Sequence, residues 1–352
     1  VSYSSSTAYT ALGLYGDLTE RLEAMLSAKV ILAGTTTLGH LAALPVLVRQ
    51  GDLVLVDGQA HASILVMTPI LAGNGAAVET VRHSDMSQIA ERLEQVDGSR
   101  RVWFLTDGIF SMHGDSVPAE AVHQLLQQHS NFYVYCDDAH GFGWDGPHGI
   151  GNYLKRAVWH DRLVISAGMA KSFGTMGGLI ATPNEDFYDI VRLTGSPLVF
   201  GGPIPPPILG AGIASADIHL SEEHAELQSE LDERIRFVNR FCEEIGIPLS
   251  ASDHTPLWFT ELGSSRVTFG AAERMRERGF YVNPAVFPVV PRGRGGIRFT
   301  VTRYNGLDQI EDMLTALRDV RLEFVGETEI EIDLEAEHVD DGEHIDQART
   351  RK

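Results

Sequence analysis

Cysteine is nearly absent from this chain: Cys136 and Cys242 are the only two among 352 residues. That excludes a disulfide framework and predicts a reducing, cytoplasmic setting. Positive charge is also scarce, with 28 basic against 48 acidic residues and a formal charge of -20. No basic excess exists to neutralise phosphates, so nucleic acid is not an expected partner. No apolar run approaches the roughly 20 residues that a helical membrane span needs, and no signal peptide is evident. What remains is a chain with 43% hydrophobic residues, enough for a large core and more than one domain.

Much of the acidity is local. From Glu323 onward there are eleven acidic residues, through Glu327-Thr-Glu-Ile-Glu-Ile-Asp-Leu-Glu-Ala-Glu337 to Asp346. This reads as a solvated appendage spanning 323–352. The alternation Ile330, Ile332, Leu334 would allow a short edge strand within it.

The rest of the chain alternates short apolar runs with amphipathic ones. Asp17-Leu-Thr-Glu20 has the pattern of a capping box and predicts a helix with Leu18, Leu22, Met25 and Leu26 on one face. Leu41 to Val48 reads as a helix kinked at Pro45. Strands are predicted at 53–56, 77–81, 102–105, 132–135, 163–165 and 178–181, with helices at 86–96 and 118–129. Such alternation means βαβ units and a mainly parallel sheet. Asp57, Asp107, Asp137 and Asp138 fall at or just past strand ends, where functional groups gather in such sheets. The cap of the next helix explains any single one equally well. After the Pro-rich Gly202–Ile208 the character changes to a long charged helix, 221–246, followed by strands at 257–260 and 297–302 and helices at 271–278 and 307–320. This predicts a smaller α+β region.

Lys171 is the most informative single residue. It stands alone in Ile165-Ser-Ala-Gly-Met-Ala-Lys-Ser-Phe-Gly-Thr-Met-Gly-Gly178. An ammonium in an apolar, Gly-rich setting is costly, so its pKa is expected to fall and its amine to become nucleophilic toward an aldehyde. A surface lysine beside a loop would look the same. Cys136-Asp-Asp-Ala-His140 leaves a buried-type strand with two carboxylates and an imidazole. Asp137 there can pair with a protonated ring nitrogen, and His140 can donate to a phenolate oxygen; a turn with a structural histidine is the alternative. Gly34-Thr-Thr-Thr-Leu-Gly39, ahead of a helix, suits a phosphate, although it matches neither a Walker loop nor a dinucleotide fingerprint. His61 follows a strand. Ser111 lies in Thr106-Asp-Gly-Ile-Phe-Ser111. Arg298 opens an apolar strand, as an ion-pair partner or as a bidentate clamp for a carboxylate.

Taken in order, these segments resemble the α-oxoamine synthases, which are fold-type I pyridoxal-phosphate enzymes. The resemblance runs from about Gly16 to about Leu317 and includes the linking pieces Arg82-His-Ser-Asp-Met86 and Gly114-Asp-Ser-Val-Pro118. It implies an α/β fold with a mainly parallel central sheet in a large cofactor domain, 17–215. A short N-terminal arm (1–16) would precede it, and a smaller α+β domain (216–322) would follow. It implies pyridoxal 5'-phosphate bound by Lys171 as a Schiff base. Asp137 would face the pyridine nitrogen, His140 and Ser111 the ring oxygen, and His61 the ring face. Thr36 and Thr37 would lie near the phosphate, and Asp107 would also sit in the cofactor site. Arg298 would hold the amino-acid carboxylate. No metal is implied.

The chain departs from the family where Asp107 replaces a frequent Glu and His40 an Asn. Gly168 stands in place of the usual phosphate-binding Thr, and Gly201-Gly202 in place of a Ser-Thr pair that reaches the neighbouring subunit. Ser166 or Ser172 is the expected substitute ligand. The family's N-terminal segment is expected to be largely missing. The implied reaction is decarboxylative condensation of glycine, alanine or serine with an acyl thioester of coenzyme A or a carrier protein, in a homodimer with active sites at the interface. Arg292 and Arg294 are candidates for docking a carrier. Transamination or other carbanion chemistry is the alternative, followed by a non-catalytic partner subunit.

Overall fold

Runs such as Leu53-Val-Leu-Val56 carry apolar side chains at every position, which only a strand covered on both faces can bury. In the computed structural model, which describes residues 11–325, these runs form one seven-stranded sheet. Its strands are β1 (Lys29–Ala33), β2 (Leu53–Asp57), β3 (Ala77–Val81), β4 (Val102–Asp107), β5 (Phe132–Asp137), β6 (Leu163–Gly168) and β7 (Gly178–Thr182). The order is β1-β7-β6-β5-β4-β2-β3. β3, β2, β4, β5 and β6 run parallel; β7 pairs antiparallel with both β6 and β1, so β7 alone runs against the other six. The mainly parallel sheet expected from the sequence is therefore present.

Alternate residues feed two cores. Leu53, Leu55, Phe104, Val134 and Cys136 pack with Ile89, Leu93, Val122 and Leu126 on one face. Val54, Val56, Trp103, Leu105 and Tyr135 pack with Ala43, Leu44 and Leu47 on the other. This parity matters for the site: Asp137, two residues after Tyr135, points to the side of the helix Thr36–Leu47. Both cysteines are free and buried.

A second sheet, β8 (Leu257–Gly263), β9 (Asn283–Ala285) and β10 (Gly295–Thr300), has the order β8-β10-β9 and is antiparallel. It shares a core with the helices Glu223–Glu244, Ser265–Glu277 and Leu307–Val325. Ile109 and Trp144 of the first region join that core. The helix Pro206–His219 packs on the first region through Leu209 and Ala216. We propose the division between the regions at 220–222, a few residues later than the sequence suggested.

Local expectations were corrected in four places. The first helix spans Gly13–Leu26 with no side-chain cap, so the Asp17 capping box is not used, although the buried face is the expected one. Thr36 and Thr37 are not in a loop: Thr35 caps the helix Thr36–Leu47 by accepting from the Leu38 N–H at 3.1 Å, and the two threonines form its first turn. β1 carried no recognised signal, and Pro206 starts a helix inside the Pro-rich stretch. The tail's possible edge strand at 330–334 lies outside the described residues, as do 1–10. No helix among the described residues is long and apolar enough to cross a membrane.

Candidate active site

A cleft opens at the carboxyl ends of β4, β5 and β6. Thr36, Thr37, His61, Asp107, Asp137, His140 and Lys171 line it, together with Gly34, Thr35, Ser63 and Met176. Seven of the nine sequence candidates thus share one cavity, drawn from positions up to 135 residues apart in the chain. The parallel sheet is what brings them together, because each strand delivers its end to the same edge.

Lys171 sits in the turn between β6 and β7, its carbonyl accepting from the Gly174 N–H at 3.0 Å. Burial lowers its pKa; Asp137 and Asp107 oppose this, Arg298 reinforces it, and the net value is below that of a free lysine. This is the direction the sequence predicted for a nucleophilic amine.

Asp107 and Asp137 are register neighbours on β4 and β5. Burial pushes the Asp137 carboxyl upward, but His40 and Lys171, aided by the Ala139 N–H, outweigh it and hold it below the usual carboxylate range. Ala139 donates to Oδ1 at 3.1 Å, and His40 Nε2 lies 3.0 Å from Oδ2. Asp107 goes the other way: burial, then the charge of Asp137, drive it well above the usual range. Its Oδ1 accepts the His61 N–H at 3.2 Å, which fixes the loop carrying His61. The cleft floor therefore holds two neighbouring carboxyls pushed in opposite directions, Asp137 toward its ionised form and Asp107 toward its protonated one.

The two histidines lining the cleft are both pushed down. Burial, then Lys171 and Arg298, push His140 down to about 3. Burial also lowers His61. The Ser63 N–H donates to His61 Nδ1 at 3.2 Å, so that nitrogen carries the lone pair and Nε2 the proton. A neutral His140 keeps one N–H to donate without adding positive charge beside Lys171.

Ser111 and Arg298 are not part of the cavity wall. They meet each other at its margin, Arg298 Nε donating to the Ser111 carbonyl at 2.7 Å. Arg298 is still close enough to depress both Lys171 and His140. It is half-buried, burial lowers its pKa, and among the described residues it has no carboxylate partner. A guanidinium left unpaired at the edge of a cleft is a ready site for an anion.

Sequence reading missed a role for His40, noted only as a departure. It also mislocated the replacement for Thr at 168. Ser166 is fully buried beside Tyr135, and neither it nor Ser172 lines the cavity. A Cβ at Gly168 would lie 2.8 Å from Thr36 Oγ1, so the Thr36 hydroxyl already occupies that space. Asp138 has a different task. It is fully buried and pushed up to about 7 by burial. Cβ atoms at Gly108, Gly141 or Gly151 would come within 2.3, 2.3 and 2.4 Å of its oxygens, so three segments close on it only because they are glycine there.

The sequence profile of the aminotransferase class I and II family matches residues 4–310. The 8-amino-7-oxononanoate synthase of Symbiobacterium thermophilum is 30% identical over 279 residues, which cover 79% of this chain and 69% of that protein. The enzyme of the same name from Stutzerimonas stutzeri is 33% identical over 299 residues, 83% and 72% of the two chains. Serine palmitoyltransferase of Bacteriovorax stolpii is 29% identical over 308 residues, 87% and 71%. Among solved structures, serine palmitoyltransferase of Sphingomonas wittichii superposes with a TM-score of 0.82 at 22% identity, over 90% of this chain and 78% of that one. An 8-amino-7-oxononanoate synthase from Francisella tularensis gives 0.74 at 20% identity, over 90% and 89%. A sheet that delivers a lone lysine, a buried anion and neutral imidazoles to one edge, together with these matches, leads to one assignment: the chain belongs to the aminotransferase class I and II family, among its pyridoxal-phosphate-dependent α-oxoamine synthases.

Proposed function

We propose that the protein condenses a small α-amino acid (glycine, alanine or serine) with an acyl thioester, releasing CO2 and free thiol. The cofactor is pyridoxal 5'-phosphate, which when bound supplies an electron sink for a negative charge at the substrate Cα. The residues fit it. Asp137 is an anion at the buried end of the cleft, and Lys171 is a lowered amine above it. Thr36 and Thr37 stand at a helix N-terminus suited to the phosphate, Gly168 leaving the Thr36 hydroxyl its room. His61 would lie on the ring face, and His140 and Ser111 would serve the ring oxygen.

Arg298 carries the reading. An unpaired, half-buried guanidinium beside Lys171 is placed to hold a substrate carboxylate, and holding it orients the bond that breaks. Lys171 Nζ takes the Cα proton. The Cα–acyl bond forms as the C–S bond breaks, and the departing thiolate takes a proton from solvent; the carboxylate carbon then leaves as CO2, and Lys171 returns its proton to the electron pair left on Cα. His140 keeps an N–H available to polarise the thioester carbonyl. Coenzyme A is the expected carrier, since a chain this acidic has little to offer an acidic carrier protein beyond Arg292 and Arg294.

Leu38, Leu65, Val66, Ile70, Leu193 and Phe200 are exposed on helices packed around Thr36–Leu47. An apolar face beside the cleft supports a homodimer with its sites near the interface. The experiment is incubation with glycine, alanine or serine and a panel of acyl-CoA esters, scoring CO2 and thiol. No release across the panel, or pyridoxamine phosphate formed from amino acid alone, would sink the reading. Lys171→Ala is expected to fold normally and to lose the visible band of the bound cofactor.

A further inference from the structure

The floor of the cleft continues inward past Asp137. His40, on the second turn of the helix Thr36–Leu47, is fully buried. Its Nε2 lies 3.0 Å from Asp137 Oδ2, and its Nδ1 lies 2.9 Å from the Tyr135 hydroxyl. The two rings meet edge to face, with centroids 5.6 Å apart. Tyr135 is fully buried too, and burial holds its phenol far above the ordinary range, so the hydroxyl keeps its proton. Ser166 on β6, register partner of Asp137, lies beside that hydroxyl. Tyr135, His40 and Asp137 thus form a buried polar chain ending at the cleft, with the Ser166 hydroxyl beside it left without a partner.

The donor directions in this chain are constrained. A carboxylate only accepts, so His40 Nε2–H donates to Asp137. Nδ1 then either accepts from the Tyr135 hydroxyl or, on an imidazolium, donates to it; the hydroxyl can turn to Ser166 in the second case. Both arrangements keep the two bonds of His40, as a buried polar group requires. Asp137 is held at both oxygens, Oδ2 by His40 and Oδ1 by the Ala139 N–H. The lone pairs that remain are aimed by those two contacts.

We propose that His40 is a positioning residue which, through Asp137, sets how firmly the protein holds a proton on the ring nitrogen of the bound cofactor. This rests on the reading of Asp137 as the partner of that nitrogen. A histidine that merely filled a polar hole would matter equally whether or not that nitrogen were present. A positioning histidine would matter only when it is.

That difference is testable. Wild type, His40→Ala, His40→Asn and Tyr135→Phe are prepared as apoprotein and reloaded with pyridoxal phosphate or with its 1-deaza analogue, in which carbon replaces the ring nitrogen. Dissociation constants, the pH midpoint of the visible band and Cα–H exchange of a small amino acid in D2O are measured. With pyridoxal phosphate, His40→Ala should bind roughly tenfold more weakly, shift the band's midpoint and slow exchange roughly 10- to 100-fold, as expected when an outer hydrogen-bond partner is removed. His40→Asn, which keeps a donor for Asp137, should recover part of this, and Tyr135→Phe should show a smaller shift of the same sign. With the analogue, wild type and His40→Ala should bind equally well. An equal loss with both cofactors, or an unmoved band and unchanged exchange in both His40 variants, overturns the proposal; if His40→Ala does not fold, His40→Asn and Tyr135→Phe decide it by the same criteria. Absence of the visible band from wild type would instead overturn the cofactor site itself, and this inference with it.

Discussion

Asp107 and Asp137 end adjacent strands in direct register, and both are buried. Yet one carboxyl is driven up and the other is held down. Depth does not separate them; company does. Asp137 faces His40 and Lys171 and accepts the Ala139 N–H, whereas Asp107 accepts only the His61 N–H and faces the charge of Asp137 itself. Two neighbouring buried carboxylates cannot both ionise cheaply, and the groups that face each one decide which does. The result is one carboxylate favoured as an anion and one carboxyl pushed toward its protonated form that anchors the loop of His61.

The sharpest way to break this comparison is to make both residues amides. Asp137→Asn should cost roughly 10^2- to 10^3-fold in Cα-proton exchange, the scale of losing a preorganised electrostatic partner. Asp107→Asn, close in shape to an acid that is already neutral, should cost less than about tenfold. Equal losses would mean that the two carboxyls share the charge. Arg298→Lys keeps the charge but not the fork; the amino-acid KM should rise roughly 10- to 100-fold with a smaller change in kcat, the scale of one charge-assisted hydrogen bond.

The phosphate end offers a milder test. Gly168→Ala puts a methyl group 2.8 Å from Thr36 Oγ1. Pyridoxal phosphate should then bind roughly 3- to 10-fold more weakly, the worth of one hydrogen bond, as read by fluorescence titration. An unchanged affinity would remove Thr36 from the phosphate seat.

The end of β2 extends the comparison with a third case. Asp57 lies 2.9 Å from His83 Nδ1, and Asp115 lies 2.6 Å from its Nε2. Burial lowers that imidazole, but the two carboxylates outweigh it and raise it to about 9. A folded value above the unfolded one means stabilisation that is full below about 6.5 and lost as pH rises through about 9. Thermal midpoints should therefore fall by a few degrees between pH 7 and pH 10 in wild type. His83→Gln should show a flatter profile; a parallel fall in both would reject the clamp.

Much of this was legible in the chain. The apolar runs of β2, β4 and β5 announce burial on both faces, and Lys171, Asp137, His140 and His61 could be placed by their neighbours in sequence. His40 could not, because its partners lie 95 and 97 residues away and only the sheet's parity brings them under its helix. β1 begins with the exposed Lys29 just after a left-handed Ser27 and gains its stability from β7, so no local pattern marks it. The missing hydroxyl at 168 was visible, but that the Thr36 hydroxyl lies where a side chain at 168 would begin could only be seen in the fold. The Asp17 box failed because the helix had already begun at Gly13, where packing rather than capping sets the start.

The helix Thr36–Leu47 has a consequence for how this site can vary. It presents Thr36 and Thr37 to the cleft and holds His40, one turn on, buried against Asp137. At about 1.5 Å of rise and about 100° of rotation per residue, that separation is not adjustable. Inserting a single residue between Thr37 and His40 would leave the threonines in place and swing the imidazole away from Asp137. The helix therefore works as a gauge block: the threonines in the cleft and the imidazole behind Asp137 are cut from one rigid piece, and neither can be re-spaced without the other.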